Sequence, residues 1–482
     1  MTLQSARANS FGLATMGVNR LVRLLGEWRT GTQSLHDDLA GGLRSLIRSG
    51  ALGSGTRLPA ERSMGQVLGL SRNTVTKALD LLRADGLLQS RQGDGTYVTY
   101  SRQRSATRGD DRLSSFVGEA VSERIDLRSA ALPGLPMVAE ELNYIDGARL
   151  RSLVMTHGYL PAGLPELRDA IASYYTDLGL PTTPDHILVT SGAQQALRLT
   201  ASLFVRPGAP VLVEEPTFRG ALESLKSLGG RLIGVKSGVD GIDVDDLTSA
   251  IKAHSPVLLV VQSTVQNPVG SVLDDFRRSR IASLSNRFRL PVIDDATLAD
   301  TIIDGNRRPI PLAAGGDLIT TVGSVSKSFW GGLRVGWLRA DPVLVSELAA
   351  LKGELDLGTS LIAQLVSTRL LPQLESARDQ RREMLSLHRQ VALDKLTSEL
   401  PDWQPVLPTG GGSMWVRLPS GSATTLAQRA EQLGVQFLPG PTFSASDVLD
   451  DHVRISYAVP PQELARGIEL IAEAWRAYAA TE

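Results

Sequence analysis

Apolar residues recur along this chain in distinct rhythms, and each rhythm predicts a different kind of structure. From Val18 to Trp28 they fall at Leu21, Leu24, Leu25 and Trp28, one helical face, which predicts a short amphipathic helix. Leu35 to Ile47 repeats the pattern with Leu39, Leu43 and Ile47 and ends at Ser49-Gly50. The turn Gly53 to Pro59 follows, its proline suited to the first turn of the next helix, Ala60 to Leu68. Gly69 breaks the pattern, and Ser71 is a good N-cap for a helix from Arg72 to Asp85 that buries Val75, Ala78, Leu79 and Leu82. That leaves Arg72, Asn73, Thr74 and Lys77 facing outward. Gly86 stops it, and Leu87 to Ser90 and Thr96 to Val98 read as strands around the glycine hairpin Arg91 to Gly95.

Beyond Tyr100 the pattern lapses. Residues 101–123 are polar, charged and poor in apolar side chains, the composition of an exposed, flexible linker. From Arg124 a new rhythm begins, with short apolar runs at Ile187–Thr190, Val211–Val213, Leu232–Val235, Val257–Val261, Val292–Ile293 and Leu318–Val322. Helical stretches separate most of them, which predicts a mostly parallel sheet covered on both faces. After about Ser386 the order changes to a smaller α+β segment. The chain therefore reads as multidomain: an α+β unit at 30–100, a linker at 101–123, and an α/β unit at 124–482.

Composition narrows the chemistry. With 482 residues, 42% apolar and 21% charged, the chain can bury a large core, and with no cysteine it has no disulfide, cysteine-ligated zinc or thiol catalysis. Met1 to Gly17 lacks a signal-peptide pattern, and no apolar run approaches the roughly 20 residues of a membrane span, so a cytoplasmic location is expected. Net charge is −1, but Arg20 to Arg108 holds fourteen Lys and Arg against seven Asp and Glu, a local +7 that leaves −8 elsewhere. A basic front on an acidic body suits a polyanion partner for the front.

A helix, a helix–turn–helix and a hairpin make the winged-helix plan, in which the last helix enters the major groove of DNA by its N-terminus. Three segments resemble the GntR regulators: Gly55-Thr-Arg-Leu58-Pro59-Ala-Glu61-Arg62, then Ser71-Arg72-Asn-Thr74-Val75-Thr-Lys-Ala78-Leu79, then Arg91-Gln-Gly93-Asp-Gly95-Thr96-Tyr-Val98. The chain departs at Ala60, where that family prefers serine. Residues expected at double-stranded DNA are Arg62, Ser71, Arg72, Asn73, Thr74, Lys77, Arg91, Gly93 and Gly95.

The second candidate chemistry sits at strand ends, where α/β sheets bind ligands. Lys327 lies just beyond Leu318–Val322, flanked by Ser324 and Ser326 and followed by Arg334. An amine for a Schiff base with hydroxyl and guanidinium donors is what a phosphorylated aldehyde needs. The other runs are followed by Ser191-Gly192-Ala193-Gln194 opening a helix, by Phe218, by Asn267-Pro268 and by Asp294-Asp295. Together these resemble the fold-type-I, aspartate-aminotransferase-like domain that binds pyridoxal 5'-phosphate. The resemblance implies that Lys327 carries the cofactor, Asp294 pairs with the pyridinium nitrogen, Phe218 stacks on the ring and Asn267 bonds the ring hydroxyl. It assigns the phosphate to Gly192, Ala193, Gln194, Ser324, Ser326 and Arg334, with Tyr159 reaching the partner subunit's phosphate, and gives an effector carboxylate to Arg454. The chain departs where the family places a tyrosine after the aspartate; here Ala296-Thr297 follow.

The whole layout resembles the MocR subfamily of GntR regulators, with the expectation of a head-to-tail homodimer. The function expected is a transcriptional regulator sensing pyridoxal phosphate or an amino compound that reacts with it. The alternatives are an aminotransferase with an appended DNA-binding domain, and a scaffold whose second domain only dimerises.

Overall fold

The computed structural model describes residues 17–26, 28–29, 34–48, 52, 56–85, 87–91, 95–98, 124–305 and 308–479. The chain divides into two compact units, Met1–Val121 and Ser122–Glu482. The expected linker at 101–123 and the DNA candidate Gly93 lie outside the described residues, as does the side chain of Arg91.

The first unit holds α1 (Val18–Leu25), α2 (Leu35–Arg48), α3 (Glu61–Leu68), α4 (Arg72–Ala84) and a hairpin of β1 (Leu88–Arg91) and β2 (Gly95–Val98). The helical faces read from the sequence turn inward: Leu39, Leu43, Val75, Ala78, Leu79 and Leu82 are buried in one core with Met64, Ile47 is partly buried against it, and Leu21 and Leu25 of α1 join them. That helix ends before Trp28 because Gly26 takes a positive φ of 53°, which breaks the helix there. Ser71 caps α4, its Oγ accepting the Thr74 N–H at 3.1 Å, a contact of the kind that contributes about 1 kcal/mol. Beside the hairpin, Arg57 bridges Tyr97, and Leu58 N–H reaches Thr96 O at 2.9 Å.

In the second unit β3 (Ile125–Asp126) pairs with a distant short strand. Then come β4 (Ile187–Thr190), β5 (Pro210–Glu215), β6 (Arg231–Gly238), β7 (Gly241–Ile242), β8 (Leu258–Val261), β9 (Val292–Asp295), β10 (Ile319–Ser324) and β11 (Gly336–Arg339). Among the described residues these form one sheet ordered β4-β11-β10-β9-β8-β5-β6-β7. Neighbours run parallel from β10 through β6, whereas β11 is antiparallel to both β10 and β4. No strand at β11 was legible in the sequence, since its apolar residues are only Trp337 and Leu338.

Alternate residues of the strands feed two cores. Leu212, Leu259, Val292 and Ile319 face one side, with the helices Pro165–Asp177 and Asp275–Phe288. Val213, Val260, Ile293 and Val322 face the other, with the helices Ala193–Phe204 and Arg219–Ser227. The helix Leu374–Glu399 then leads into a smaller sheet of β12 (Gln404–Val406), β13 (Ser413–Arg417), β15 (Leu438–Pro439) and β16 (His452–Ser456), while β14 (Val435–Gln436) is the partner of β3. None of the described helices is long and apolar enough to cross a membrane.

Candidate functional site

Lys327 is positioned by a one-turn helix, Val325–Ser328, at the end of β10. Ser324 caps that turn, accepting the Ser326 N–H at 3.1 Å, and lies 3.0 Å from the Val335 carbonyl oxygen. The Lys327 amine donates to the carbonyl oxygen of Ala130 at 2.8 Å. Burial pushes the amine down to about 8, with Arg454 and Arg381 pushing the same way and Asp295 opposing them. Near that pH much of the lysine is neutral, which is the nucleophilic form.

An anion cradle lies at the start of the helix Ala193–Phe204. Gly192 caps it with a φ of 108°, and an added Cβ would stand 2.7 Å from Nη2 of Arg334. Only glycine suits both demands. Arg334 itself donates from Nη2 to Ser191 O at 2.8 Å. The N–H groups of Ala193 and Gln194 belong to the first turn, where a helix has no internal partner for them. The Gln194 side chain is turned to Gly220 O and Ser224 Oγ, at 2.8 and 2.7 Å. Gly220 lets the Phe218 ring come close, since a Cβ there would meet the ring at 2.5 Å. A glycine-capped helix start, an adjacent guanidinium, an aromatic ring and a neutral-leaning lysine fit a phosphorylated aromatic aldehyde.

The two carboxylates of the aspartate doublet have different surroundings. Adjacent residues of a strand point to opposite faces, and Asp294 shares its face with Val292. Its carboxylate accepts the N–H of Ser263 at 3.0 Å and the Ser263 hydroxyl at 2.8 Å, and Arg278 donates to that same hydroxyl at 3.1 Å. Asp295, on the face of Ile293, is the carboxylate that interacts with Lys327. Burial pushes Asp295 above the usual carboxylate range, opposed by hydrogen bonds from Thr297, whose hydroxyl donates at 2.5 Å. No phenol stands at Ala296 or Thr297.

Arg454 on β16 is buried, and its Nη1 donates to Asn267 Oδ1 at 3.3 Å, so the structure brings these two predicted residues together. Nη2 bonds the carbonyl oxygen of Arg128, the guanidinium lies 4.9 Å from the centre of the Phe443 ring, and Nε is buried without a hydrogen-bond partner. Burial pushes Arg454 down to about 9, with Arg219 adding and Asp126 opposing. Tyr159 stands apart, its exposed ring stacked on His157 at 5.8 Å. Sequence reasoning missed Arg128 and Ala130, which act through backbone carbonyls, and Arg381, one of several arginines on a charged helix.

In the first unit Arg62, Ser71, Arg72, Asn73 and Lys77 are exposed and Thr74 is partly so. Arg72 lies 3.7 Å from Glu61, and Gly95, with φ 118°, allows the Arg57 guanidinium to lie against the hairpin. A capped helix start lined with basic and amide side chains is suited to phosphates and base edges.

The aminotransferase class I and II family profile matches residues 125–471, and the chain belongs to that family. Residues 35–98 match the gntR family of bacterial regulatory proteins, and the two joined domains are those of the MocR subfamily of GntR regulators. The chain is 27% identical to the uncharacterized HTH-type transcriptional regulator YisV of Bacillus subtilis, over 94% of this chain and 99% of that one. It is 31% identical to the probable rhizopine catabolism regulatory protein MocR of Rhizobium meliloti, over 64% of this chain and 66% of that protein. Identity to the 2-aminoadipate transaminase of Thermus thermophilus is also 31%, over 66% of this chain and 80% of the enzyme. Among solved structures, the α-aminoadipate aminotransferase LysN of Thermus thermophilus, complexed with N-(5'-phosphopyridoxyl)-L-leucine, matches with TM-score 0.68 and 28% identity, over 75% of this chain and 94% of that one. Pyridoxal phosphate is thus the cofactor of this class of domain.

Proposed function

We propose that this chain is a cytoplasmic transcriptional regulator, working as a head-to-tail homodimer, that binds operator DNA through its winged helix. Its second domain senses pyridoxal phosphate or an amino compound that reacts with it. The observation that carries this reading is the convergence of Lys327, Asp295, Asn267 and Arg454 at one end of the sheet, with no phenol at Ala296 or Thr297. When bound, the cofactor supplies an aldehyde carbon and an electron-withdrawing ring.

The chain's own residues divide the rest. Lys327 would offer the cofactor's aldehyde a neutral amine, since burial holds that amine below the ordinary lysine range. Asp295 stabilises a protonated ring nitrogen, Phe218 covers the ring and Asn267 meets the ring hydroxyl. Gly192, Ala193, Gln194, Ser324, Ser326 and Arg334 hold the phosphate. Arg454, with Nε free, takes the effector's carboxylate. The exposed position of Tyr159 supports a role in the partner subunit's site.

Sensing needs only that an amine exchange with Lys327, whereas turnover needs the ring held through each proton transfer. One missing hydrogen bond to the ring hydroxyl removes roughly 1–3 kcal/mol, or about ten- to a hundredfold in rate if the loss falls on the transition state. The test is to give cofactor-loaded protein candidate amino acids and follow oxoacid product and operator affinity together. At most one equivalent of product per site with a changed operator affinity is the expected result. Many equivalents per site would establish the aminotransferase reading, which the likeness to 2-aminoadipate transaminase favours.

A further inference from the structure

Arg381 is fully buried in the helix Leu374–Glu399, and every hydrogen bond it makes goes to a backbone carbonyl. Its Nε lies 3.0 Å from Lys327 O and 3.1 Å from Ser328 O. Its Nη2 lies 2.7 Å from both Phe329 O and Pro133 O. Among the described residues no carboxylate pairs with it, and Nη1 has no partner. A buried guanidinium left without a counter-ion is costly, so a purely structural clamp would be better built from a neutral donor.

The Pro133 contact joins the lysine's turn to a second segment, Arg128–Leu135. Its successive carbonyls meet the site's own groups: Arg128 O bonds Arg454, Ser129 O accepts from Ser456 Oγ at 2.7 Å, and Ala130 O accepts from the Lys327 amine at 2.8 Å. Leu135 N–H returns to Phe329 O at 3.2 Å. The same strap thus occupies both the amine that would meet an aldehyde and the guanidinium that would meet a carboxylate.

We propose that Arg381 is a positioning residue for Lys327, registering the lysine's turn against the strap Arg128–Pro133, and that the strap's carbonyls hold Lys327 and Arg454 until a ligand replaces them. The inference rests on the reading of Lys327 as the cofactor-bearing residue. The charged groups around the amine are Arg454 on β16, Asp295 on β9 and Arg381; Asp300, paired with Arg308 and near Arg378, holds only the neighbouring Ser328 hydroxyl. Removing the Arg381 charge removes one of the two cations that favour the neutral amine.

The experiment compares full-length wild type, Arg381→Gln and Arg381→Lys. Capture of pyridoxal phosphate is followed by visible absorbance, and by mass of the borohydride-fixed adduct on Lys327, from neutral to alkaline pH. Wild-type capture should climb with pH through about 8. In Arg381→Gln the half-point should move up toward the ordinary lysine range, slowing capture at neutral pH about tenfold for each unit moved. Arg381→Lys keeps the charge and should restore the half-point, but a lysine cannot span four carbonyls as the planar fork does, so exchange of the strap amides should quicken. Hydrogen exchange on wild type alone gives a second reading that survives if Arg381→Gln does not fold. Adding pyridoxal phosphate should expose the Ala131 and Leu135 amides. An unchanged half-point in Arg381→Gln, or strap amides indifferent to pyridoxal phosphate, would overturn the inference. A wild type that forms no Lys327 adduct would instead remove the reading beneath it.

Discussion

Asp294 and Asp295 are consecutive on β9, yet the first is bound to Ser263 on one face of the sheet and the second interacts with Lys327 on the other. Their substitutions should therefore separate cofactor binding from stability. Asp295→Ala should weaken pyridoxal phosphate binding by about ten- to a hundredfold, the size of one charge-assisted hydrogen bond. Asp294→Ala should keep the visible absorbance while lowering unfolding free energy by about 1–3 kcal/mol, because it leaves the N–H and hydroxyl of Ser263 short of an acceptor and Arg278 without a neighbouring negative charge. Absorbance titration and chemical denaturation measure the two effects. Equal loss of cofactor in both variants would contradict the assignment by face.

Lys327→Ala should form no borohydride-fixed adduct with pyridoxal phosphate and should stay colourless when mixed with it. Stability gives an independent check through Lys327→Met. The folded amine sits near 8, below the ordinary lysine value, so between those values the unfolded chain binds the extra proton. Wild-type stability then rises with pH across that window, whereas the methionine variant lacks this contribution. Its advantage should be greatest below about 8 and fade as pH climbs toward the ordinary lysine range. Denaturation curves at several pH values test this, and a constant difference would refute it.

Much of this architecture was legible in the residues. The helices of the first unit follow from apolar positions at helical spacing, and the strand runs from Ile187 to Val322 were placed to within a few residues. What escaped has physical reasons. Strand β11 carries two apolar residues between a glycine and an arginine, too few to signal. The doublet Asp294-Asp295 shows that a carboxylate ends the strand, but only pairing and face tell which one looks toward Lys327. Ala130 contributes a carbonyl oxygen, a group every residue has, so no sequence pattern marks it. Arg381 stands beside Arg378 and Arg382 on a charged helix, and burial alone distinguishes it.

Glu214 on β5 is buried on the same side as Leu212 and accepts the Gln262 N–H at 2.8 Å. Burial pushes its carboxyl up to about 8, opposed by the Gln262 hydrogen bond, with Asp294 pushing further upward. Between the ordinary glutamate value and about 8 the folded chain holds a proton that the unfolded chain has released. Stability contributed by this group is therefore full at low pH and falls as pH rises through that window. Glu214→Gln keeps an acceptor for Gln262 and removes the titration. Its stability should be flatter with pH, with the largest gain over wild type on the alkaline side. Parallel curves for the two proteins would show that Glu214 does not titrate there.

Arg72 opens the helix α4 with its side chain 79% exposed, and among the described residues its ion pair is the loose one to Glu61 at 3.7 Å. That pairing is too long and too wet to contribute much to folding, so Arg72→Ala should leave unfolding free energy within about 0.5 kcal/mol of wild type. Its effect should appear on DNA. If the guanidinium reads a base edge, operator affinity should fall by about 1–3 kcal/mol with relaxed preference at one position. If it meets a phosphate, binding should weaken across all sequences, and the slope of affinity against salt should decrease by about one. Lys77, one turn further along, should behave in the second way. Glu61→Ala releases Arg72 from its acidic neighbour and should strengthen binding at low salt. Titrations of operator and scrambled duplex at several salt concentrations separate these outcomes. Operator affinity unchanged in Arg72→Ala at every salt concentration would mean that the start of α4 does not face DNA.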